Sequence, residues 1–200
     1  MPISNKLIET ARAEWEFFGR GEINLDGTEK QGRKEYVDGA YQRVGDYWKF
    51  IGGPHKNLTG KDRGTPWSAA FISFCFNEAG AAAKFPYSAG HATYINAAIK
   101  NAGASGAKPI IGHKVKDYSP KPGDLIGYWR GATKVSYETA RQIGWYESHT
   151  DIVVEIGNGF LYSIGGNVRH SVTRSQFKID ANGRLTDKSQ NWFVVIENKI

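Results

Sequence analysis

Apolar and polar positions near the start of the chain follow the 3.6-residue period of amphipathic helices. This pattern predicts a first helix over residues 4–18, with Ser4 as its N-cap, and a second helix over residues 40–52. The segment 19–34 between them is polar and contains several glycines, which favours a loop.

A third helix is predicted in the apolar stretch "TPWSAAFISFCFNEAG". Thr65 is placed as the N-cap and Pro66 as the first helical residue, because proline is favoured at that position. The helix is expected to end near Ala79, and a fourth is expected over residues 91–101. In this register Ser68 occupies about the third helical position.

From about residue 123 the pattern changes to short apolar and alternating runs, which are typical of strands. "IGNGF" and "DANGR" between these runs are typical of hairpin turns, and a short helix fits residues 136–144. Helices followed by strands predict an α+β fold with an antiparallel sheet. We interpret residues 1–200 as one domain, with a core over 40–200 and a helix-and-loop extension over 1–39. The predicted strands are 124–129, 150–156, 159–165, 171–179 and 191–198.

Composition narrows the classes of function. The net charge of +6 suits anionic surroundings or simply solubility, and the basic residues are scattered without a nucleic-acid motif. No apolar run is long enough for a membrane span, and the start lacks the pattern of a Sec signal peptide. The histidines lack metal-ligand spacing, so no metal and no cofactor are expected. Nothing in the sequence indicates an oligomer, so we expect a monomer.

Two side chains of the third helix are possible nucleophiles. Ser68 lies in the first turn, where the helix dipole and unpaired N–H groups stabilise an anion. Cys75, the only cysteine, lies two turns further on between Phe74 and Phe76, which favours a buried apolar role. We therefore expect Ser68 to be the reactive residue.

Two later motifs offer partners for Ser68. "ESHTDIVVEIGNG" places His149 at the start of a strand, and "GGNV" places Asn167 in a glycine-rich turn after the next one. A nucleophile on a helix, a histidine on a strand and a polar residue that orients it form a catalytic triad in the general sense. The catalytic residues predicted from this pattern are Ser68, His149 and Asn167.

Taken in order, "PWSAAFISFCFNEAG", "PGDLIGYW", "SHTDIVVEIGNG" and "GGNV" resemble the papain-like cell-wall hydrolases of the NlpC and CHAP type. More closely, they resemble a bacterial domain-of-unknown-function family with the pattern PWSAAFIS. The resemblance implies a papain-like fold from about Ala40 to the C-terminus. It assigns the nucleophile, the base and the orienting residue to Ser68, His149 and Asn167.

The activity implied is that of an amidase or endopeptidase that cuts peptide bonds in the stems of peptidoglycan. Delivery would then use a route other than Sec, as for a phage-type lysin or an antibacterial type VI effector with an immunity protein as partner. Two alternatives stay open: a non-catalytic wall-binding or interaction module, and a serine hydrolase acting on small esters or acyl chains. The absence of G-x-S-x-G argues against an α/β-hydrolase version of the second.

The superfamily carries cysteine where this chain has Ser68. The serine is natural to the closest family, or replaces an original cysteine, or marks a site that has lost catalysis. Three further residues are expected at the substrate: Trp67 beside the nucleophile, His91 at the start of the fourth helix, and Asp151. Asp151 falls on the same strand face as His149 and would steer substrate amines or orient that histidine. For His91, a capping or packing role is the alternative.

Overall fold

Five helices form where the sequence has apolar residues at helical spacing, in a computed structural model that describes residues 2–200. The predicted first, second and fourth helices are confirmed to within one residue at each end. The short helix within 136–144 is also present, but it is limited to a single turn. The helices are α1 (Ser4–Phe17), α2 (Ala40–Ile51), α3 (Ser68–Glu78), α4 (His91–Ala102) and α5 (Ala140–Ile143).

Helix α3 starts later than the sequence predicts. Its first backbone hydrogen bond runs from the Phe71 N–H to the Trp67 carbonyl, at 3.0 Å. The Thr65 N–H instead donates to the Asp62 carbonyl at 3.2 Å and closes a preceding turn. The predicted cap at Thr65 is therefore wrong, and Ser68 is the first residue of the helix rather than the third.

Eight strands form one sheet, in the order β2-β1-β7-β6-β5-β4-β8-β3. All neighbours are antiparallel except β1 and β7, which run parallel, so the sheet is mixed rather than purely antiparallel. The short strands β1 and β2 lie in the segment that was predicted to be loop. The strands are β1 (Gly21–Ile23), β2 (Glu29–Lys30), β3 (Ile110–His113), β4 (Leu125–Trp129), β5 (Ser148–Ile156), β6 (Phe160–Val168), β7 (Ser171–Lys178) and β8 (Asn191–Asn198).

The main core fills the space between the helices and one face of the sheet. Alternate residues of β5, such as Ile152 and Val154, point into this core, together with the apolar side of α3. A smaller cluster on the opposite face includes Val153 and Phe177. The centre of the sheet is thus buried on both faces, which explains why its strands contain nearly continuous apolar runs.

The segment before residue 40 is part of the same α+β domain. Leu7 and Phe18, at the two ends of α1, are fully buried in the main core. Strand β1 extends the sheet through its parallel pairing with β7. Within residues 2–200, every helix is too short or too polar to cross a lipid bilayer.

Candidate active site

Ser68 is the first residue of α3 and is 5% exposed. The N–H groups of Ser68, Ala69 and Ala70 precede the first helical hydrogen bond, so they have no acceptor inside the helix. The positive end of the helix dipole adds to their field. This is an environment that stabilises negative charge on or near the Ser68 hydroxyl.

The Ser68 hydroxyl lies against a histidine of the next helix. Ser68 Oγ is 2.6 Å from Nε2 of His91, which is the first residue of α4. On the other side of the ring, Nδ1 lies 3.0 Å from Thr150 Oγ1, and the Tyr94 hydroxyl contacts the same nitrogen. In the tautomer with its proton on Nδ1, His91 donates to these oxygens and accepts from Ser68.

The surroundings of His91 favour its neutral form. Burial lowers the pKa of His91 well below its usual range, and the charges of His149 and Arg130 lower it further. Burial also raises the pKa of Tyr94, so this hydroxyl keeps its proton. A neutral His91 can accept the proton of Ser68, which is the first requirement of a general base.

A second histidine lies beside the first. His149 on β5 is fully buried, and its Nε2 is 2.8 Å from Asp151 Oδ1. Ser163 on β6 donates to the other oxygen of Asp151 at 3.2 Å. His149 Nδ1 is buried without a hydrogen-bond partner among the described residues. The centroids of the His149 and His91 rings are 5.1 Å apart.

The two glycines of "GGNV" leave room for this arrangement. A side chain at Gly165 would overlap Asp151 Oδ1. One at Gly166 would place its Cβ 2.5 Å from Cβ of Phe71, on α3. Glycine at these two positions therefore allows Asp151 to reach His149 and allows α3 to lie close against the sheet.

The contacts of the three residues predicted to be catalytic differ from those of the expected triad. No hydrogen bond joins Ser68 to His149 within residues 2–200, and His91 takes the place next to the hydroxyl. Asp151, rather than Asn167, hydrogen-bonds to His149. Asn167 belongs to β6 itself and not to a turn, at a bulge where its φ is +58°. Its side chain makes no hydrogen bond to any described residue.

The three residues expected to contact substrate have different contacts in the structure. His91 is hydrogen-bonded to Ser68, and Asp151 is hydrogen-bonded to His149. Trp67 is 2% exposed, stacks on Phe18 and donates its indole N–H to Glu35 at 2.6 Å. Because this ring is enclosed by protein, its position supports a structural role and not a substrate contact.

Cys75, the other possible nucleophile, has the buried position that the sequence predicts. Cys75 is fully buried in the main core, and burial raises the pKa of its thiol well above the usual range. A thiol in this state is a poor nucleophile. Trp145 is 73% exposed and lies beside Gly90, the residue before His91.

Sequence reasoning missed Thr150 and Tyr94, which contact His91, and Ser163, which donates to Asp151. Tyr94 lies three residues after His91 and therefore on the same side of α4, so its spacing was a usable signal. Thr150 and Ser163 come together with the histidines only through the packing of α4 on β5 and the pairing of β5 with β6. Among residues 2–200, no three His, Cys, Asp or Glu side chains are grouped as a metal site requires.

Comparison with protein families gives one match. The model of a family described as "Uncharacterized protein conserved in bacteria (DUF2272)" matches residues 35–197. This range includes Ser68, His91, His149 and Asp151. Neither the curated proteins nor the solved structures gave a significant match.

Proposed function

The chain belongs to this bacterial family, and on that premise we propose that it is a hydrolase of amide bonds in which Ser68 is the nucleophile and His91 the general base. One observation carries the proposal: Ser68 Oγ lies 2.6 Å from His91 Nε2 at the first residue of a helix. This geometry supplies proton removal and anion stabilisation at the same atom.

The chemical steps follow from these contacts. His91 Nε2 takes the proton of Ser68, and Oγ attacks the carbonyl carbon of the substrate. The resulting oxyanion is held by free N–H groups at the start of α3. The protonated His91 then gives its proton to the leaving amine as the C–N bond breaks. Water, activated by the same nitrogen, releases the acyl group and restores Ser68.

His149 and Asp151 supply a second proton-transfer pair next to the first. Asp151 fixes the His149 ring through Nε2, and Nδ1 remains buried without a hydrogen-bond partner among the described residues. We assign His149 an accessory role, because His91 and not His149 is bonded to the nucleophile. The alternative, with His149 as the base, requires its ring to replace His91 beside Ser68 when substrate binds.

The substrate that we propose is the peptide stem of peptidoglycan. The resemblance of four motifs to those of papain-like cell-wall hydrolases supports it, as does the placement of Ser68 at a helix start beside a sheet that carries a histidine. On this account the fold is a papain-like variant with serine as its natural nucleophile. Action as an antibacterial effector or lysin, with an immunity protein as partner, would follow from that substrate.

Digestion of purified sacculi tests the proposal. Mass spectrometry of the soluble fraction should detect stem-peptide fragments with the wild-type chain and none with Ser68→Ala. Ser73→Ala is the matched control, because Ser73 lies on the same helix but bonds only to Ser88. It should retain activity. If the serine replaces an original cysteine, Ser68→Cys should instead raise activity from near zero.

A non-catalytic wall-binding module is the second candidate function. Its supporting observation is the burial of the pair, since Ser68 and His91 are each 5% exposed. A pull-down on the same sacculi separates the two functions. Binding of the wild-type chain without any released fragment would favour the module and reject the hydrolase.

A further inference from the structure

A cleft of about 800 Å³ lies on the face of the sheet opposite the helices. Phe177 of β7 establishes this side, because it lines the cleft and belongs to the smaller apolar cluster on the face opposite the main core. Pockets of roughly 300–1,000 Å³ are typical of small-ligand sites. The cleft is therefore large enough for a ligand of the size of a short peptide.

The charge of the cleft is positive. Four basic side chains line it against two acidic ones, and both acids already accept hydrogen bonds from neighbouring residues. Arg169 is paired with Glu29, whereas Arg130, Lys178 and Lys188 have no carboxylate partner within residues 2–200. An excess of unpaired positive charge in a concave site favours an anionic ligand. The charged lining residues are Arg130, Arg169, Lys178, Lys188, Asp151 and Asp187.

Arg130 is the best placed of these cations. It follows the end of β4, where its backbone N–H donates to the Glu147 carbonyl at 2.8 Å. Its guanidinium donates to the Tyr128 hydroxyl at 3.1 Å. These contacts hold the Arg130 guanidinium at the wall of the cleft. Its other N–H groups can donate to a ligand. A guanidinium binds carboxylate and phosphate groups through paired hydrogen bonds.

One residue, Asp151, belongs to both the cleft and the candidate active site. Asp151 lines the cleft and holds His149, so a ligand there lies one side chain from the second histidine. The charge of Arg130 also reaches His91, since it contributes to the lowered pKa of that residue. A ligand bound at Arg130 therefore changes the charge that acts on His91.

We propose that this cleft binds a ligand through its carboxylate or phosphate oxygens, with Arg130 as the principal contact, and that it thereby holds an acidic group of the substrate beside Asp151, the hydrogen-bond partner of His149. The identification of the ligand as a substrate depends on the proposed function. The binding of the anion does not, because it requires only the cleft and its charges.

Calorimetry on the Ser68→Ala chain tests binding separately from hydrolysis. The probes are N-acetyl tetraglutamate, the matching tetraglutamine peptide with a C-terminal amide, and inorganic pyrophosphate. We expect the acidic peptide or pyrophosphate to bind, the neutral peptide not to bind, and affinity to fall with added salt. Tight binding of pyrophosphate alone would show that the cleft recognises phosphate groups. Binding of tetraglutamate would show that it recognises carboxylate groups.

Two variants on the same background assign the contact. Arg130→Ala should lower the affinity for the anionic probe about ten- to a hundredfold. Arg130→Lys should have an intermediate affinity, because lysine keeps the charge but lacks the planar guanidinium that forms paired hydrogen bonds. Arg63→Ala is the matched control, since Arg63 is exposed and does not line the cleft. Amide shifts in NMR spectra on adding the probe should map to residues 175–178 and 188–190.

Three results would overturn the inference. They are no binding of either anion, equal losses in the Arg130→Ala and Arg63→Ala chains, and NMR shifts confined to another surface. None of them depends on whether sacculi are digested. A chain that digests sacculi but binds no anion would therefore support the proposed function and reject anion binding in the cleft.

Discussion

The imidazole rings of His91 and His149 lie with their centroids 5.1 Å apart, tilted by 45°. His91 is bonded to Ser68, and His149 is bonded to Asp151. Two histidines with different partners in one buried space allow one to act as base while the other assists. The histidine predicted from the sequence to contact Ser68 was His149, and the structure places His91 there instead.

The first prediction separates the two histidines. His91→Ala should lower kcat/KM by about 10⁴-fold or more, close to the effect of Ser68→Ala, because a nucleophile and its base act as a unit. His149→Ala should lower it less, by about 10²-fold, as expected for an accessory proton-transfer group. Rates of fragment release from sacculi measure both variants. A larger loss in His149→Ala than in His91→Ala would transfer the role of base to His149.

The second prediction concerns pH. Around His91 lie Ser68 of α3, Tyr94 of α4, His149 and Thr150 of β5, and the charge of Arg130. Since its pKa is lowered in the folded chain, the acid limb of kcat/KM should lie below pH 6.5, the usual region for histidine. The neutral base is then lost only at lower pH.

The same shift predicts a dependence of stability on pH. Below about pH 6.5 the unfolded chain binds a proton at His91 that the folded chain does not, so the free energy of unfolding falls as pH falls. This contribution has a slope of up to ~1.4 kcal/mol per pH unit, until the folded pKa is reached. Urea unfolding between pH 7.5 and 5.5 measures it. His91→Gln, which does not titrate, should show a smaller slope, and an equal slope would contradict the assignment.

The third prediction concerns the glycine that faces Asp151. Gly165→Ala should cost about 1–3 kcal/mol of stability, because the added methyl group overlaps Asp151 Oδ1 and forces a shift. It should also lower activity by displacing Asp151 from His149. Gly64→Ala is the control, since Gly64 has open space around it and no left-handed backbone. Thermal unfolding and fragment release on both chains test this, and equal behaviour would show that the close contact is unimportant.

The sequence predicted the elements with strong periodicity. Helices α1 and α2 and strands β5 to β8 follow from apolar residues at a spacing that matches one type of structure. Strands β1 and β2 have only three and two residues in a polar segment, so no local pattern reveals them. They form because β7 offers a free edge with which β1 pairs.

The candidate site was predictable only in part. Ser68 and His149 were found because each begins an element near a marked motif. The contact between Ser68 and His91 joins residues 23 positions apart on two helices, and their relative placement depends on how both helices pack on the sheet. Asp151 was correctly placed on the face of His149 because strand alternation is a local rule.

The fourth prediction concerns the only cysteine. Cys75→Ala should keep activity and cost about 1 kcal/mol of stability, because the thiol acts as a small buried apolar group. Iodoacetamide should not inactivate the folded wild-type chain, since burial keeps the thiol protonated. Loss of hydrolysis in a folded Cys75→Ala chain would make Cys75, and not Ser68, the nucleophile.

The central claim is that His91 activates Ser68 as a nucleophile. Treatment of the folded chain with a fluorophosphonate, followed by peptide mass spectrometry, tests it most directly. The account predicts one adduct, located on Ser68, formed much more slowly in His91→Ala and absent in Ser68→Ala. An adduct on another residue, or labelling of Ser68 at the same rate with and without His91, would contradict it.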